Sequence, residues 1–172
     1  MWERRKPLGT DFARRWTLPG RRGAGASRRP RVLIEEHDVA AVFACARVLA
    51  DSGYEVSWCP GPAGPPERRC PLLEFGQCEV AERADVVVSS LDLRHDCSRR
   101  VVAAFRHHHP ETPMVIRTTE EALAQWSPVF EGRWGGVRMP ATQHSLLDSV
   151  AAATTQSPLV LLAEPSAPET HW

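Results

Sequence analysis

Three groups of side chains in this 172-residue sequence have the chemistry to do more than pack. His107-His108-His109 offers three imidazoles to a metal ion. Consecutive helical residues point about 100° apart and do not converge on one ion, so a solvated helix end, where histidine suits the helix dipole, is the plainer reading. Cys59, Cys70 and Cys78 flank a Pro-rich loop and, with a fourth donor, have the chemistry of a zinc site. Their spacing is wide and none forms a C-x-x-C pair, so ordinary core and loop thiols are expected, with no structural metal. The third group is made of carboxylates and hydroxyls placed just after short apolar runs: Glu35-Glu36-His37-Asp38, Ser90 with Asp92, and Thr118. Oxygen donors of this kind are the ones a hard cation or a phosphoryl group would use. A conventional catalytic set cannot be assembled. There is no G-x-S-x-G elbow, no G-x-x-x-x-G-K-[ST] loop and no G-x-G-x-x-G after the first apolar run, and a non-enzyme is expected.

The elements that would position these residues lie in the middle of the chain. The total of 21 basic against 21 acidic residues hides a division by region. Residues 1–30 carry nine bases against Glu3 and Asp11, or +7; residues 31–155 carry 12 Arg against 17 acids, or −5; residues 156–172 add Glu164 and Glu169, or −2. Both ends lack sustained hydrophobic periodicity, so they are expected to be a disordered basic arm and a flexible Pro-containing tail. Residues 31–155 are the expected domain. No apolar run approaches the roughly 20 residues of a membrane span, and no apolar stretch follows the basic segment as a signal peptide requires. The cytoplasm is the default compartment, with all five cysteines reduced.

Within the domain, apolar runs alternate with amphipathic segments, the pattern of strands joined by crossover helices. Val32-Leu33-Ile34 opens the first strand. Asp38 is placed to cap a helix in which Val39, Val42, Phe43, Ala46, Leu49 and Ala50 recur at helical spacing, with Cys45 on the same apolar side and Gly53 at the left-handed end. Tyr54 to Cys59 suits a second strand. Seven Pro and Gly residues between 60 and 71 predict a loop, leaving only Leu72 to Arg83 for a short helical piece. Asp85 to Leu91 reads as a buried strand, Ser98 to His109 as a helix, Thr112 to Ile116 as a fourth strand and Gly132 to Met139 as a fifth. Thr118 or Thr119 can cap a brief helix through Trp126, and Thr142 a final one carrying Leu146, Leu147 and Val150. The fold class expected is α/β, a doubly wound five-stranded parallel sheet with helices on both faces.

With five units in this order, the sequence resembles the receiver domain of two-component response regulators over about residues 31–155. The pieces that carry the resemblance are RVLIEEHD from Arg31, LADSGYEV from Leu49, ADVVVSSL from Ala84, TPMVIRT from Thr112 and the stretch from Gly132 to Pro140. The resemblance implies a phosphorelay pocket: an acidic pair after strand one, a phosphoacceptor Asp after strand three, a Thr or Ser after strand four and a Lys after strand five. Doubly wound sheets gather their chemistry at these carboxyl ends.

Position by position, this sequence departs from that set. Counting back from Gly53 puts Glu36 and His37 at the acidic pair, and imidazole is a poor magnesium ligand; a shift of one residue would pair Glu35 with Glu36 instead. Ser90 stands at the phosphoacceptor position, where a hydroxyl cannot form an acyl phosphate. Asp92, two residues on and on the same side of an extended chain, is the alternative phosphoacceptor, and magnesium is expected only in that case. Thr118 matches the hydroxyl position. Met139 replaces the lysine, and the sole lysine, Lys6, is in the arm. Arg138 could lend charge, though a guanidinium is not equivalent to an ammonium there. Gly136 replaces the aromatic residue that receivers carry on this strand.

The resemblance therefore implies an atypical, or pseudo-, receiver that works by protein–protein interaction with a separate effector or with a second copy of itself. No membrane contact is expected, and nucleic acid only non-specifically through the basic arm. Two alternatives stay open. One is a functional phosphoacceptor using Asp92 with Glu36. The other is a small-molecule-binding domain of the same fold, such as a cobalamin-binding one, although the D-x-H-x-x-G ligand loop is missing.

Overall fold

The computed structural model describes residues 28–63, 70–126, 134–139 and 141–155. The arm up to residue 27, the tail from residue 156, part of the Pro-rich loop and the chain leading into the fifth strand lie outside the described residues.

Five strands form one parallel sheet: β1 (Arg31–Glu35), β2 (Glu55–Cys59), β3 (Val86–Ser89), β4 (Met114–Thr118) and β5 (Trp134–Arg138), in the order β2-β1-β3-β4-β5. A parallel sheet needs crossovers on its faces, so its strands are buried on both sides and alternate residues serve two cores. Val32, Ile34, Val86, Val88 and Val115 face one core with Cys45 and Leu49 of α1 (Val39–Asp51) and Leu146 and Val150 of the last helix, Gln143–Thr155. Leu33, Val87 and Ile116 face the other with Val101, Val102 and Phe105 of the helix Asp96–His108.

In chain order the remaining helices are α2 (Pro71–Phe75), α3 (Glu79–Glu82), α4 (Asp96–His108), α5 (Glu120–Trp126) and α6 (Gln143–Thr155). Asp38 caps α1 by accepting from the Ala40 and Ala41 amides at 2.8 and 3.3 Å. Gly53 follows at φ +94°. Thr142 caps α6 through the Ser145 amide at 3.0 Å. In α1 the buried stripe is Val42, Cys45 and Leu49. Val39 and Phe43, at the same periodicity but one step round the helix, are half exposed. The expected helical piece between Leu72 and Arg83 is broken in two, because Gly76 takes φ +67° and ends α2 after five residues.

A β-carbon on Gly76 would lie 2.6 Å from the His108 ring of α4. Gly76→Ala therefore combines left-handed strain with a collision and should lower the unfolding free energy in urea by about 1–2 kcal/mol.

Asp85, just before β3, holds the start of β1. It accepts from the Arg31 amide at 2.7 Å and from Arg28 at 2.6 Å. Burial pushes its carboxyl up, but the Arg31 amide and Arg28 outweigh that and hold it below the usual carboxylate value.

Candidate functional site

The carboxyl ends of β1, β3, β4 and β5 meet at one edge of the sheet, where the sequence placed its candidate residues. β1 ends in two buried acids, Glu35 and Glu36, 3% and 7% exposed, while His37 turns outward with its side chain 54% exposed. The two buried acids at this end are thus Glu35, the last residue of β1, and Glu36 just after it. His37 stays beside Glu36, Nδ1 3.5 Å from Oε1, but does not enter the edge. Alternation explains the split. Glu35 follows Leu33 toward the α4 core and Glu36 follows Ile34 toward α1.

Glu36 is held firmly. Its Oε1 accepts from the Asp38 amide at 2.9 Å, its own amide donates to the Cys59 carbonyl at 3.1 Å, and its carbonyl accepts from the Trp58 indole at 2.6 Å. Glu35 lies next to Ser89 in the β1–β3 register, and both its Oε2 and the Ser89 hydroxyl are buried without a satisfying hydrogen bond. Burial pushes the Glu35 carboxyl up to about 7, with the nearby Ser89 hydroxyl opposing. The same burial, reinforced by Glu35, pushes the Cys59 thiol up to about 12.

Ser90 follows β3, and its amide donates to the Glu35 carbonyl at 2.8 Å, which fixes it next to the end of β1. Beyond it the chain continues to alternate: Leu91 and Leu93 are buried, while Asp92 and Arg94 point away. Asp92 is gripped by Arg94, whose amide, Nε and Nη2 donate to it at 2.9, 3.0 and 2.7 Å. Those side-chain and backbone bonds from Arg94, with His95 3.6 Å away, hold the Asp92 carboxyl down to about 2. Arg99 clamps the same loop from α4, donating to the carbonyls of Leu93 and Arg94 at 2.8 and 2.9 Å and lying 4.6 Å from the Trp126 ring centroid.

The cation at the edge is Arg117. From β4 its Nη1 donates to the Ser90 hydroxyl at 3.1 Å, and its Nη2 lies 3.6 Å from the Met139 sulfur. Its Nε is buried without a partner. One side chain thus bridges Ser90 after β3 and Met139 after β5. Arg138, which could have lent charge, does not do so here: neighbouring strand residues face opposite ways, and its Nη1 pairs with Glu120 at 3.1 Å. Thr118 is partly buried and its carbonyl accepts from the Met139 amide at 2.9 Å. Pro140 lies outside the described residues. At Gly136, a β-carbon would stand 3.1 Å from the Leu123 side chain, so a large aromatic there would displace α5 contacts.

Arg117 was missed by sequence reasoning, although a signal existed. It is the one charge inside an otherwise apolar strand, and period two puts it on the side of Val115, where Val88 and Ser90 also lie.

Receivers use a magnesium ion at this edge, and the donor set here does not fit one. Ser90 brings no anionic oxygen, Glu36 spends Oε1 on a backbone amide, Asp92 is committed to Arg94, and a guanidinium points at Ser90. Among the described residues no three His, Cys, Asp or Glu side chains are grouped to hold a metal, and this includes Cys59, Cys70 and Cys78, which are free thiols.

No protein-family model matches the chain, and no curated protein matches it significantly. Solved structures do. The chemotaxis response regulator CheY4 of Vibrio cholerae superimposes with a TM-score of 0.57 at 19% identity, over 73% of this chain and 99% of that one. The chain has the receiver fold. A protein named for pilus assembly (cpaE) from Burkholderia thailandensis matches this receiver fold equally well, at TM-score 0.57 and 16% identity over 74% and 99% of the two chains. So does the signal receiver domain of an HD domain-containing protein from Pseudomonas fluorescens, at TM-score 0.57 and 17% identity over 77% and 91%. Among the described residues, no helix is long and apolar enough to cross a membrane.

Proposed function

We propose that this chain is an atypical receiver that transduces a signal by binding a protein partner in trans and is not phosphorylated on aspartate in the usual way. The observation that carries the reading is Arg117 on Ser90: the position matched to the acceptor carries a hydroxyl, and that hydroxyl already accepts a hydrogen bond from the Arg117 guanidinium at 3.1 Å. Asp92 does not substitute readily, since its carboxylate is already paired with Arg94 and His95 on the outer side of the loop. With a hydroxyl at the acceptor position, no metal-holding group among the described residues and no lysine in residues 31–155, the retained scaffold serves recognition. The receiver resemblance supports signalling as the context and a non-enzymatic role.

Incubation with a small phosphodonor such as acetyl phosphate and magnesium tests this directly. Intact-mass measurement should show no phosphorylated species. A phosphorylated species that disappears in Asp92→Asn would overturn the reading.

A further inference from the structure

We propose that Met139 is a site of reversible oxidation, and that Arg117 receives the oxygen that oxidation adds. Met139 is 41% exposed at the end of β5, whereas Met114, on the neighbouring strand, is 4% exposed. Oxidation of methionine follows access to the sulfur, so the two side chains should differ sharply. What makes Met139 more than a surface thioether is its neighbour. The Arg117 guanidinium has no carboxylate partner among the described residues. It bonds the Ser90 hydroxyl at 3.1 Å, keeps Nε buried and unpaired, and reaches the Met139 sulfur at 3.6 Å with Nη2. A thioether is a weak acceptor for so strong a donor.

The chemistry is a two-electron oxygen transfer from a peroxide. A sulfur lone pair attacks one peroxide oxygen, the O–O bond breaks, an S–O bond forms, and the other oxygen leaves as water. The sulfoxide oxygen carries substantial negative charge, and the guanidinium offers a charge-assisted hydrogen bond where only a weak contact existed. The Met139 amide stays tied to the Thr118 carbonyl at 2.9 Å, so the new acceptor is held within reach of Arg117. The oxidised side chain would draw Arg117 between Ser90 and β5, coupling the ends of β3, β4 and β5 through one cation. Reduction by a thiol-dependent methionine sulfoxide reductase would release it.

The test is graded hydrogen peroxide on the full chain, followed by peptide mass mapping and amide spectra. Met139 sulfoxide should form on the order of tenfold faster than that of Met114. In the wild type, oxidation should shift the Ser90 amide and the Arg117 Nε signals, and sulfoxide reductase should restore them. Arg117→Leu should still oxidise at Met139 but lose the Ser90 shift. Met139→Leu should show no peroxide-dependent shift at Ser90, which separates this effect from cysteine oxidation. Equal rates at Met139 and Met114, or a Ser90 response that persists in either variant, would overturn the proposal.

Discussion

Glu35→Gln should abolish most of the stability loss that the wild type shows between about pH 5 and pH 8. The Glu35 carboxyl is fully buried beside an unsatisfied Ser89 hydroxyl, and burial lifts it from 4.5 to about 7. Its folded value lies above its unfolded one, so the protonated form favours folding. That contribution is complete below about pH 4.5 and is lost as pH rises through about 7. One pK unit corresponds to about 1.4 kcal/mol, so the loss amounts to about 2–4 kcal/mol above pH 8, a large share of a small domain's stability. Glutamine has nearly the same shape and does not ionise. Asp92, held down to about 2, acts with the opposite sign and in a separate window below about pH 4, so the two effects do not overlap. Urea denaturation of both proteins across this range reads the effect. A slope shared by wild type and Glu35→Gln would show that Glu35 is not the titrating group.

Restoring the acceptor carboxylate alone should fail to create a cation site, and removing Arg117 as well should succeed. Glu35 pairs with Ser89 in the β1–β3 register, so Glu36 and position 90 stand side by side at adjacent strand ends. In Ser90→Asp the new carboxylate meets Arg117 Nη1, which now donates to Ser90 Oγ at 3.1 Å, and the two charges cancel. Ser90→Asp with Arg117→Leu leaves two carboxylates facing each other with no cation between them, a like-charge pair that a divalent ion relieves. Magnesium at ten times its Kd should then raise the double variant's unfolding free energy by about 1.4 kcal/mol, with no effect on wild type or the single variant. Equal magnesium stabilisation of single and double variants would mean that Arg117 does not guard the edge.

Much of the architecture was legible because each strand is a short apolar run and its flanking helices carry their own punctuation. Asp38 starts α1, Gly53 follows its end, and Thr142 starts α6, all by local chemistry. Two features depended on tertiary geometry. The exact end of β1 decides whether His37 or Glu35 shares burial with Glu36, and a one-residue ambiguity at a strand end swaps faces. The exposed stripe of Val39 and Phe43 looks identical to the buried one by period alone, since the docking angle of α1 chooses between them. At the site, Ser90 and Met139 stand at strand ends that spacing could locate. Arg117 could not be placed that way, because its reach across two neighbouring strands depends on sheet order, with β4 lying between β3 and β5. The missing lysine was visible in the composition; the cation that stands in its place required the fold.

Whether this edge accepts a phosphoryl group is read most directly by titrating the full chain with magnesium and beryllofluoride and following its amide spectra. The account predicts that signals around Glu36, Ser90, Asp92 and Thr118 stay where they are. A saturable shift around Asp92 that vanishes in Asp92→Asn would contradict it.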